Sequence, residues 1–199
     1  MENTYEYEER AFLTEEDFLR VKDALTKQSL SSTFDNKISY FFVLPGQNLS
    51  IAKSENRCVI KYKHGAVGVG NGFSEHEIPI DDHYCLQAVD MFKLLFAIEP
   101  QISEQFRINY VLANGIEIAL KYTQTWGFHL EIEKTYSHEE GRSSAQKEVE
   151  DVADQLMIRL ITDTEMKTFR DHFDSGGSPK GAYDSEQFKK KFGDLFLAK

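Results

Sequence analysis

Residues 4–12, TYEYEERAF, are predicted to form a β-strand, and they carry the pattern from which the fold is inferred. Glu6 and Glu8 stand one residue apart in this segment. In an extended strand, residues i and i+2 point to the same face, so the two carboxylates project side by side. Two carboxylates about 5 Å apart repel by roughly 3 kcal/mol at an effective dielectric of about 20. Such a face must turn toward water, a cavity or cations.

The same acidic alternation returns twice, at Glu75 with Glu77 and at Glu131 with Glu133. The segment 58–65, CVIKYKHG, carries two lysines in the same spacing. Six carboxylates that converge on one space would be hard to keep ionised without cations. These segments therefore predict a polar interior that contains ions.

Eight strands with alternating faces are predicted along the chain. They lie at residues 4–12, 37–44, 48–53, 57–64, 73–80, 104–112, 116–122 and 128–136. Because no strand–helix alternation is sustained, an antiparallel barrel or sandwich is favoured over a parallel sheet. Asn114 followed by Gly115 is a strong signal for a hairpin turn.

Helices are predicted around and after these strands. Thr14 and Asp17 form a capping-box-like pair at the start of a helix that runs to about Ser29. Further helices are predicted at residues 81–98, at about 144–160, from residue 163 or 164, and in the basic C-terminal segment. The glycines of 65–72 are interpreted as a hairpin connection, because the order of a nucleotide fingerprint is absent.

Length and charge limit the kind of protein. A chain of 199 residues suits one domain, with a barrel core at about 4–136 and a helical part at about 142–199. The net charge of −10 argues against nucleic-acid binding, which needs a basic face. No apolar run approaches the roughly 18 residues that span a bilayer, and the polar N-terminus is not a secretory signal. We expect a cytoplasmic protein without membrane contact. Cys58 and Cys85 are expected to be unpaired thiols.

Acidic and basic side chains recur on the strand faces in an ordered series. The acids are Glu6, Glu8, Glu75, Glu77, Glu131 and Glu133, and the bases are Arg10, Lys61, Lys63, Arg107 and Lys121. Mg²⁺ and Mn²⁺ prefer carboxylate oxygens, whereas lysine and arginine suit phosphate oxygens. Both kinds of group on the strands of one barrel predict a site for a polyphosphate ligand with Mg²⁺ or Mn²⁺. His129 is interpreted as structural.

The ordered series resembles the CYTH superfamily, the triphosphate tunnel metalloenzymes, over about residues 4–160. The segment EYEER at 6–10 is similar to the E-x-E-x-K signature of the family, with arginine in place of lysine. The later matches are Lys61 with Lys63, Glu75 with Glu77, Arg107 near Tyr110, and Gly127 before Glu131 and Glu133.

The resemblance implies an eight-stranded antiparallel barrel whose interior is a tunnel, with flanking helices in an α+β chain. The implied catalytic and metal ligands are Glu6, Glu8, Glu131 and Glu133, with Glu75 and Glu77 as further metal ligands. The implied phosphate-binding residues are Arg10, Lys61, Lys63, Arg107 and Lys121. The expected partner is a small triphosphate-containing substrate, and a homodimer is left open.

Four positions depart from the family pattern. Ser50 and Ala52 occupy positions where the family usually has two arginines, Phe73 replaces a base, and Lys121 replaces an aspartate. Each lost arginine–phosphate contact weakens binding by roughly 1.5–3 kcal/mol. Fewer basic side chains are therefore available to bind phosphate. Lys121, Arg57 or a Lys53 turned inward by a β-bulge would compensate for this loss.

Three functions are compatible with this pattern. The first is a metal-dependent phosphohydrolase that acts on a linear triphosphate, either tripolyphosphate or a small organic triphosphate such as thiamine triphosphate. The second is an adenylate cyclase of the class IV type. The third is a non-catalytic protein that binds polyphosphate or nucleotide.

Overall fold

The fold is taken from a computed structural model that describes residues 5–44, 47–55, 57–64, 74–174 and 178–196. Within these residues the chain forms nine strands and five α-helices. The strands are β1 (Tyr5–Phe12), β2 (Ser31–Phe34), β3 (Lys37–Leu44), β4 (Gln47–Ser54), β5 (Cys58–His64), β6 (Ser74–Ile80), β7 (Gln101–Val111), β8 (Ile116–Thr123) and β9 (Gly127–Tyr136). The helices are α1 (Glu15–Gln28), α2 (Cys85–Phe96), α3 (Arg142–Gln155), α4 (Asp163–Asp174) and α5 (Ser185–Phe192).

The strands form one antiparallel sheet in the order β1-β9-β8-β7-β3-β4-β5-β6, with β2 beside β7. In the described part of the chain, β1 and β6 stand at the two ends of this order, so the sheet is open. The expected mixed α+β class and antiparallel strands are confirmed, whereas the described strands are not closed into the expected eight-stranded barrel. The short strand β2 was not predicted; its four residues are all exposed, so no buried alternation marks it.

The chain divides into two compact units, and β7 has residues in both. The first unit comprises the described residues of 5–34 and 107–196. Its core lies on one face of β1, β8 and β9, under α1 and α3. The buried residues include Tyr7, Ala11, Phe18, Val21, Leu25, Ile118, Leu120, Leu130, Ile132, Val149 and Val152. The opposite face of these strands carries the charged residues.

Individual residues determine where several helices and strands begin or end. The Thr14 hydroxyl accepts a hydrogen bond from the Asp17 amide at 3.1 Å, as predicted for the N-cap of α1. The predicted hairpin turn is also present, and Gly115 takes a φ of +74° there. The third helix is shorter than predicted, because Met157 takes a φ of 53° and ends it after Gln155.

The second unit comprises the described residues of 35–64 and 74–106. Helix α2 covers one face of its sheet, and the core between them contains Phe42, Leu49, Ile51, Cys58, Cys85 and Val89. Cys58 and Cys85 form a disulfide with their Cα atoms 5.9 Å apart. The expectation of two unpaired thiols is therefore wrong, because the fold brings β5 against the first residue of α2.

No helix among the described residues is long and apolar enough to cross a membrane. The glycine-rich segment at 65–72 lies outside the described residues, and so does Phe73.

Candidate functional site

In the first unit, one face of β1 and β9 carries the predicted acids of both strands together with Arg10. Antiparallel pairing places Glu8 opposite Glu133 and Arg10 opposite Glu131. Glu6 lies one step further along the same face, opposite Thr135. The alternation predicted from sequence therefore brings these side chains together on one surface.

Strands β8 and β7 extend this polar face. Glu117 lies opposite Glu133, and two steps along each strand Ala119 lies opposite Glu131. Lys121 has the same alternation and lies opposite His129. Sequence reasoning missed Glu117, although its spacing of four residues from Lys121 on one strand was a usable signal.

Arg107 of β7 belongs to the same electrostatic group. Its charge lowers the pKa of both Lys121 and Glu131, although other causes have larger effects on these groups. The Arg107 guanidinium donates to the side-chain oxygen of Asn109, its neighbour on the same face of β7. The structure thus brings Arg10, Arg107 and Lys121 together with the acids of β1 and β9.

Glu131 is the centre of a partly buried ion-pair network. The Arg10 Nε lies 3.1 Å from Glu131 Oε1, and the Lys121 ammonium donates to Glu131 Oε2. Arg10 also forms an ion pair with Glu8. Lys121 is 4% exposed, so its charge is compensated by protein groups rather than by bulk water. Both carboxylate oxygens of Glu131 are therefore engaged by cations.

The ionisation of this network follows from its contacts. Burial alone would raise the pKa of the Glu131 carboxyl, but the charges of Lys121 and Arg10 outweigh it and hold the pKa well below its usual range. Burial lowers the pKa of Lys121 to about 8, against the opposing effect of Glu131. Both groups are consequently charged at neutral pH.

At the Glu6 end of the face, acidic side chains lie beside one another rather than beside cations. Burial and the nearby Glu6, Glu8, Glu117 and Glu131 raise the pKa of Glu133 to about 7. In the described part of the chain, no cation forms an ion pair with Glu133, Glu6 or Glu117. Among the residues that the structure describes, acidic side chains therefore predominate at this end of the face.

The Phe12 end of the face is covered by aromatic and apolar side chains. Phe12 and Trp126 pack against Ile161, Met166 and Phe169, which belong to α4 and the segment before it. The Lys180 ammonium lies 3.5 Å from the centroid of the Phe12 ring. The position of the Lys180 side chain is therefore accounted for by cation–π contact with an aromatic ring of the first unit.

His129 lies under this cover and is fully enclosed. Its Nδ1 donates to the Gly127 carbonyl at 2.9 Å, in the tautomer that this contact requires. Burial first, and then the charge of Lys121, lower the pKa of His129 to about 4. A neutral, hydrogen-bonded and buried imidazole agrees with the structural role predicted for it.

In the second unit, the pairing of β5 with β6 places the positions of the predicted lysines opposite those of the predicted acids. Lys61 lies opposite Glu77 and forms an ion pair with it, and Arg57 contacts the same carboxylate at 2.8 Å. The backbone register places Lys63 opposite Glu75. Glu77 is thus compensated by two cations within its own unit.

Ser50 and Ala52 of β4, which stand where the family usually has arginines, have the same alternation along their strand and are paired with β5. Ser50 lies opposite Lys61, so a shortened polar side chain stands beside that lysine. Lys53 is not turned toward this face, because the pairing of β4 with β3 and β5 is unbroken across it. Its ammonium contacts Asp82 at 3.1 Å instead. The compensation by a β-bulge is therefore not present.

The acids of the first unit fit a divalent ion in part. Glu6 and Glu133 supply carboxylate oxygens at the Glu6 end of the face, and Glu8 beside them is paired with Arg10. Glu131 does not fit, because a divalent ion about 4 Å from Lys121 or Arg10 would be repelled by roughly 8 kcal/mol at an effective dielectric of about 20. In the chain as described, no three His, Cys, Asp or Glu side chains are arranged to hold a metal ion. The ligand atoms are present without the ligating geometry.

Comparison with known proteins gives matches in structure. No protein-family model and no curated protein matches the sequence. HpAC1 from Hippeastrum, described as a proposed adenylyl cyclase with a dominant triphosphatase activity, is 17% identical, with 89% of this chain and 98% of that chain covered and a TM-score of 0.64. A proposed adenylate cyclase from Vibrio parahaemolyticus is 12% identical, with 81% of this chain and 91% of that chain covered and a TM-score of 0.59.

The same architecture occurs in a different setting. A chain of the Mediator head module from Schizosaccharomyces pombe is 9% identical, with 78% of this chain and 97% of that chain covered and a TM-score of 0.58. Identities of this size show a shared fold and leave the activity to be argued from the site. The chain therefore shares the fold of these solved structures, two of which are described as proposed adenylate cyclases.

Proposed function

We propose that this protein is a metal-dependent phosphohydrolase that acts on a linear triphosphate, either tripolyphosphate or a small organic triphosphate. The observation that carries the proposal is the charge arrangement on one face of the first unit. Arg10, Lys121 and Arg107 lie at its middle, and acidic side chains predominate at its Glu6 end. A polyanion with a bound divalent cation has the complementary charges.

The proposed roles follow from these positions. Arg10, Lys121 and Arg107 bind phosphate oxygens, and their placement on neighbouring strands keeps them at a constant separation. Glu6, Glu8 and Glu133 are the residues that would hold Mg²⁺ or Mn²⁺, and the ion would neutralise phosphoryl charge and lower the pKa of a bound water. A free carboxylate at the Glu6 end orients the attacking water. The roles inferred from the sequence for Lys61, Lys63, Glu75 and Glu77 of the second unit stay predictions.

The test is phosphate release from tripolyphosphate, ATP and thiamine triphosphate with Mg²⁺ or Mn²⁺, with cyclic AMP measured in the ATP reaction. We expect metal-dependent phosphate release from at least one substrate. Cyclic AMP as the main product would replace the hydrolase with an adenylate cyclase. A folded protein that is silent on all three substrates would support the non-catalytic binding protein.

A paired substitution links the activity to this face. Glu6→Gln with Glu8→Gln is expected to abolish turnover, because it removes two of the three carboxylates proposed to hold the metal. The matched control is Glu139→Gln with Glu140→Gln, which neutralises two exposed acids elsewhere in the same unit. Turnover that survives the first pair with normal metal dependence would sink the assignment of Glu6 and Glu8.

A further inference from the structure

The second unit exposes a group of large apolar side chains around helix α2. Nine of the fourteen exposed large apolar side chains among the described residues belong to this unit, although it is the smaller of the two. Eight of the nine, which we name the α2 face, lie on α2, directly before it, or on the sheet face that it covers: Ile38, Ile78, Tyr84, Leu86, Met91, Leu94, Leu95 and Ile102. The exposed apolar surface is therefore concentrated on one side of the second unit.

Helix α2 carries the densest part of this face. Tyr84 directly precedes the helix, and Met91 and Leu95 follow on the same side at helical spacing. Leu94 is 85% exposed and Leu95 is 68% exposed. The inward side of the helix is apolar as well, because Val89 is buried there against the sheet. A helix that is apolar on its inner and its outer side is typical of a buried environment.

We propose that the α2 face is the interface of a homodimer, in which α2 packs antiparallel against α2 of a second copy about a two-fold axis near its middle. This inference goes beyond the proposed function and does not depend on it.

The size of the α2 face matches that of a dimer contact. Its side chains are between 37% and 85% exposed. Their combined exposed area is on the order of 800 Å², which is about what each partner contributes to a stable protein–protein interface. Single exposed apolar residues need no partner, whereas a grouped surface of this size is typical of an interaction site.

The charges of α2 are complementary to a second copy of the same helix. Asp90 and Lys93 are its two charged residues, and they lie three positions apart near its middle. In an antiparallel pair with two-fold symmetry, Asp90 of each copy lies near Lys93 of the other, so the same ion pair forms twice. Lys93 contacts Glu99 at 2.9 Å within its own chain, but the Glu99 side chain is 80% exposed, and such a surface pair is weak. One acid and one base arranged in this way favour a second copy over a partner with a single sign of charge.

Sedimentation velocity of the full chain tests the homodimer. We expect a dimer to be the main species at about 100 µM. Leu94→Glu is expected to weaken association by about a hundredfold or more, because it brings like charges into an apolar contact. Leu30→Glu is the matched control, since Leu30 is 72% exposed but belongs to the first unit, and it should leave association unchanged.

Two charge variants test the antiparallel pairing itself. In a homodimer of Asp90→Lys two bases face each other at each contact, and in a homodimer of Lys93→Glu two acids do. Each variant alone is therefore expected to associate about tenfold more weakly than the natural chain. An equimolar mixture restores unlike charges at both contacts and is expected to form heterodimers. Circular dichroism establishes that each variant is folded.

The outcomes decide the proposal without reference to activity. A monomer at about 100 µM, or a dimer that Leu94→Glu leaves intact, would overturn it. A mixture of Asp90→Lys and Lys93→Glu that associates no better than either variant alone would also overturn it. A dimer that is lost with Leu94→Glu, kept with Leu30→Glu and recovered in the mixture supports it. Phosphate release is measured separately, so failure of the homodimer leaves the proposed hydrolase untouched.

Discussion

Glu133 lies directly opposite Glu8 in the pairing of β9 with β1, and it lies opposite Glu117 in the pairing of β9 with β8. Three carboxylates thus meet across three neighbouring strands. Like charges at paired positions of a sheet destabilise it. Burial and these neighbours raise the pKa of Glu133 to about 7.

We expect Glu133→Gln to stabilise the metal-free protein above pH 7. A folded-state pKa above the unfolded value of 4.5 means that stability is full at low pH and falls as the pH rises toward 7. The substitution removes this loss, so the free energy of unfolding should rise by about 1–3 kcal/mol at pH 8. Urea unfolding in EDTA at pH 5 and pH 8 measures it. An equal gain at both pH values would contradict the assignment of the effect to ionisation.

Tyr7 and Glu9 form a buried pair on the opposite face of β1. The Tyr7 hydroxyl donates to Glu9 Oε1 at 2.6 Å, and burial raises the pKa of Glu9 despite this hydrogen bond. Tyr7→Phe leaves the carboxyl without this donor, and we expect it to lower the free energy of unfolding by about 1–3 kcal/mol. The loss should be larger at pH 8 than at pH 5, because the ionised form needs the donor more.

Chemical denaturation of Tyr7→Phe at the two pH values measures this effect. Tyr5→Phe is the matched control, because the Tyr5 side chain lies at the exposed start of the same strand. A loss that does not change with pH would mean that the hydroxyl acts by packing alone.

The C-terminal segment is held by Tyr122. Its hydroxyl accepts a hydrogen bond from the Tyr183 amide at 2.8 Å and donates to the Tyr183 carbonyl. Its ring stacks on Phe188 of α5 at 4.0 Å. We expect Tyr122→Phe to destabilise the protein by about 1–3 kcal/mol, because two backbone groups lose their partner.

Hydrogen exchange should locate the effect of this substitution. Amides of α5 are expected to exchange faster in Tyr122→Phe, while amides of α2 in the other unit stay unchanged. The exposed Tyr84→Phe provides the control. Unchanged protection of α5 would show that aromatic packing alone holds the segment.

The disulfide between Cys58 and Cys85 is expected to stabilise the second unit. It closes a segment with a sequence separation of 27, for which chain entropy predicts about 3–4 kcal/mol. Dithiothreitol should therefore lower the free energy of unfolding of the natural chain and leave Cys58→Ala with Cys85→Ala unchanged. Titration of two free thiols in denaturant without reductant would refute the pairing.

The local patterns of the sequence account for much of the fold. Two-residue alternation predicted the eight longer strands, and it placed Glu6, Glu8 and Arg10 on one face of β1. Thr14 marked the start of α1 because its hydroxyl can bond to an amide three residues later. The departure at Met157 was not predictable in this way, since left-handed conformations at helix ends are usually marked by glycine.

The candidate site depends both on the local sequence pattern and on the tertiary structure. Alternation alone determined that the acids and bases of each strand share a face, because that property follows from backbone geometry within one strand. The partners between elements were decided by how those elements pair and pack: Lys121 lies beside Glu131, Glu117 beside Glu133, and Cys58 beside Cys85. The register of the β8–β9 hairpin sets the first two pairs, and the packing of α2 against β5 sets the third. One residue of register shift in the hairpin would exchange its two faces. The sequence by itself therefore determined the kinds of charge on this surface, and the tertiary structure decided which charges compensate each other.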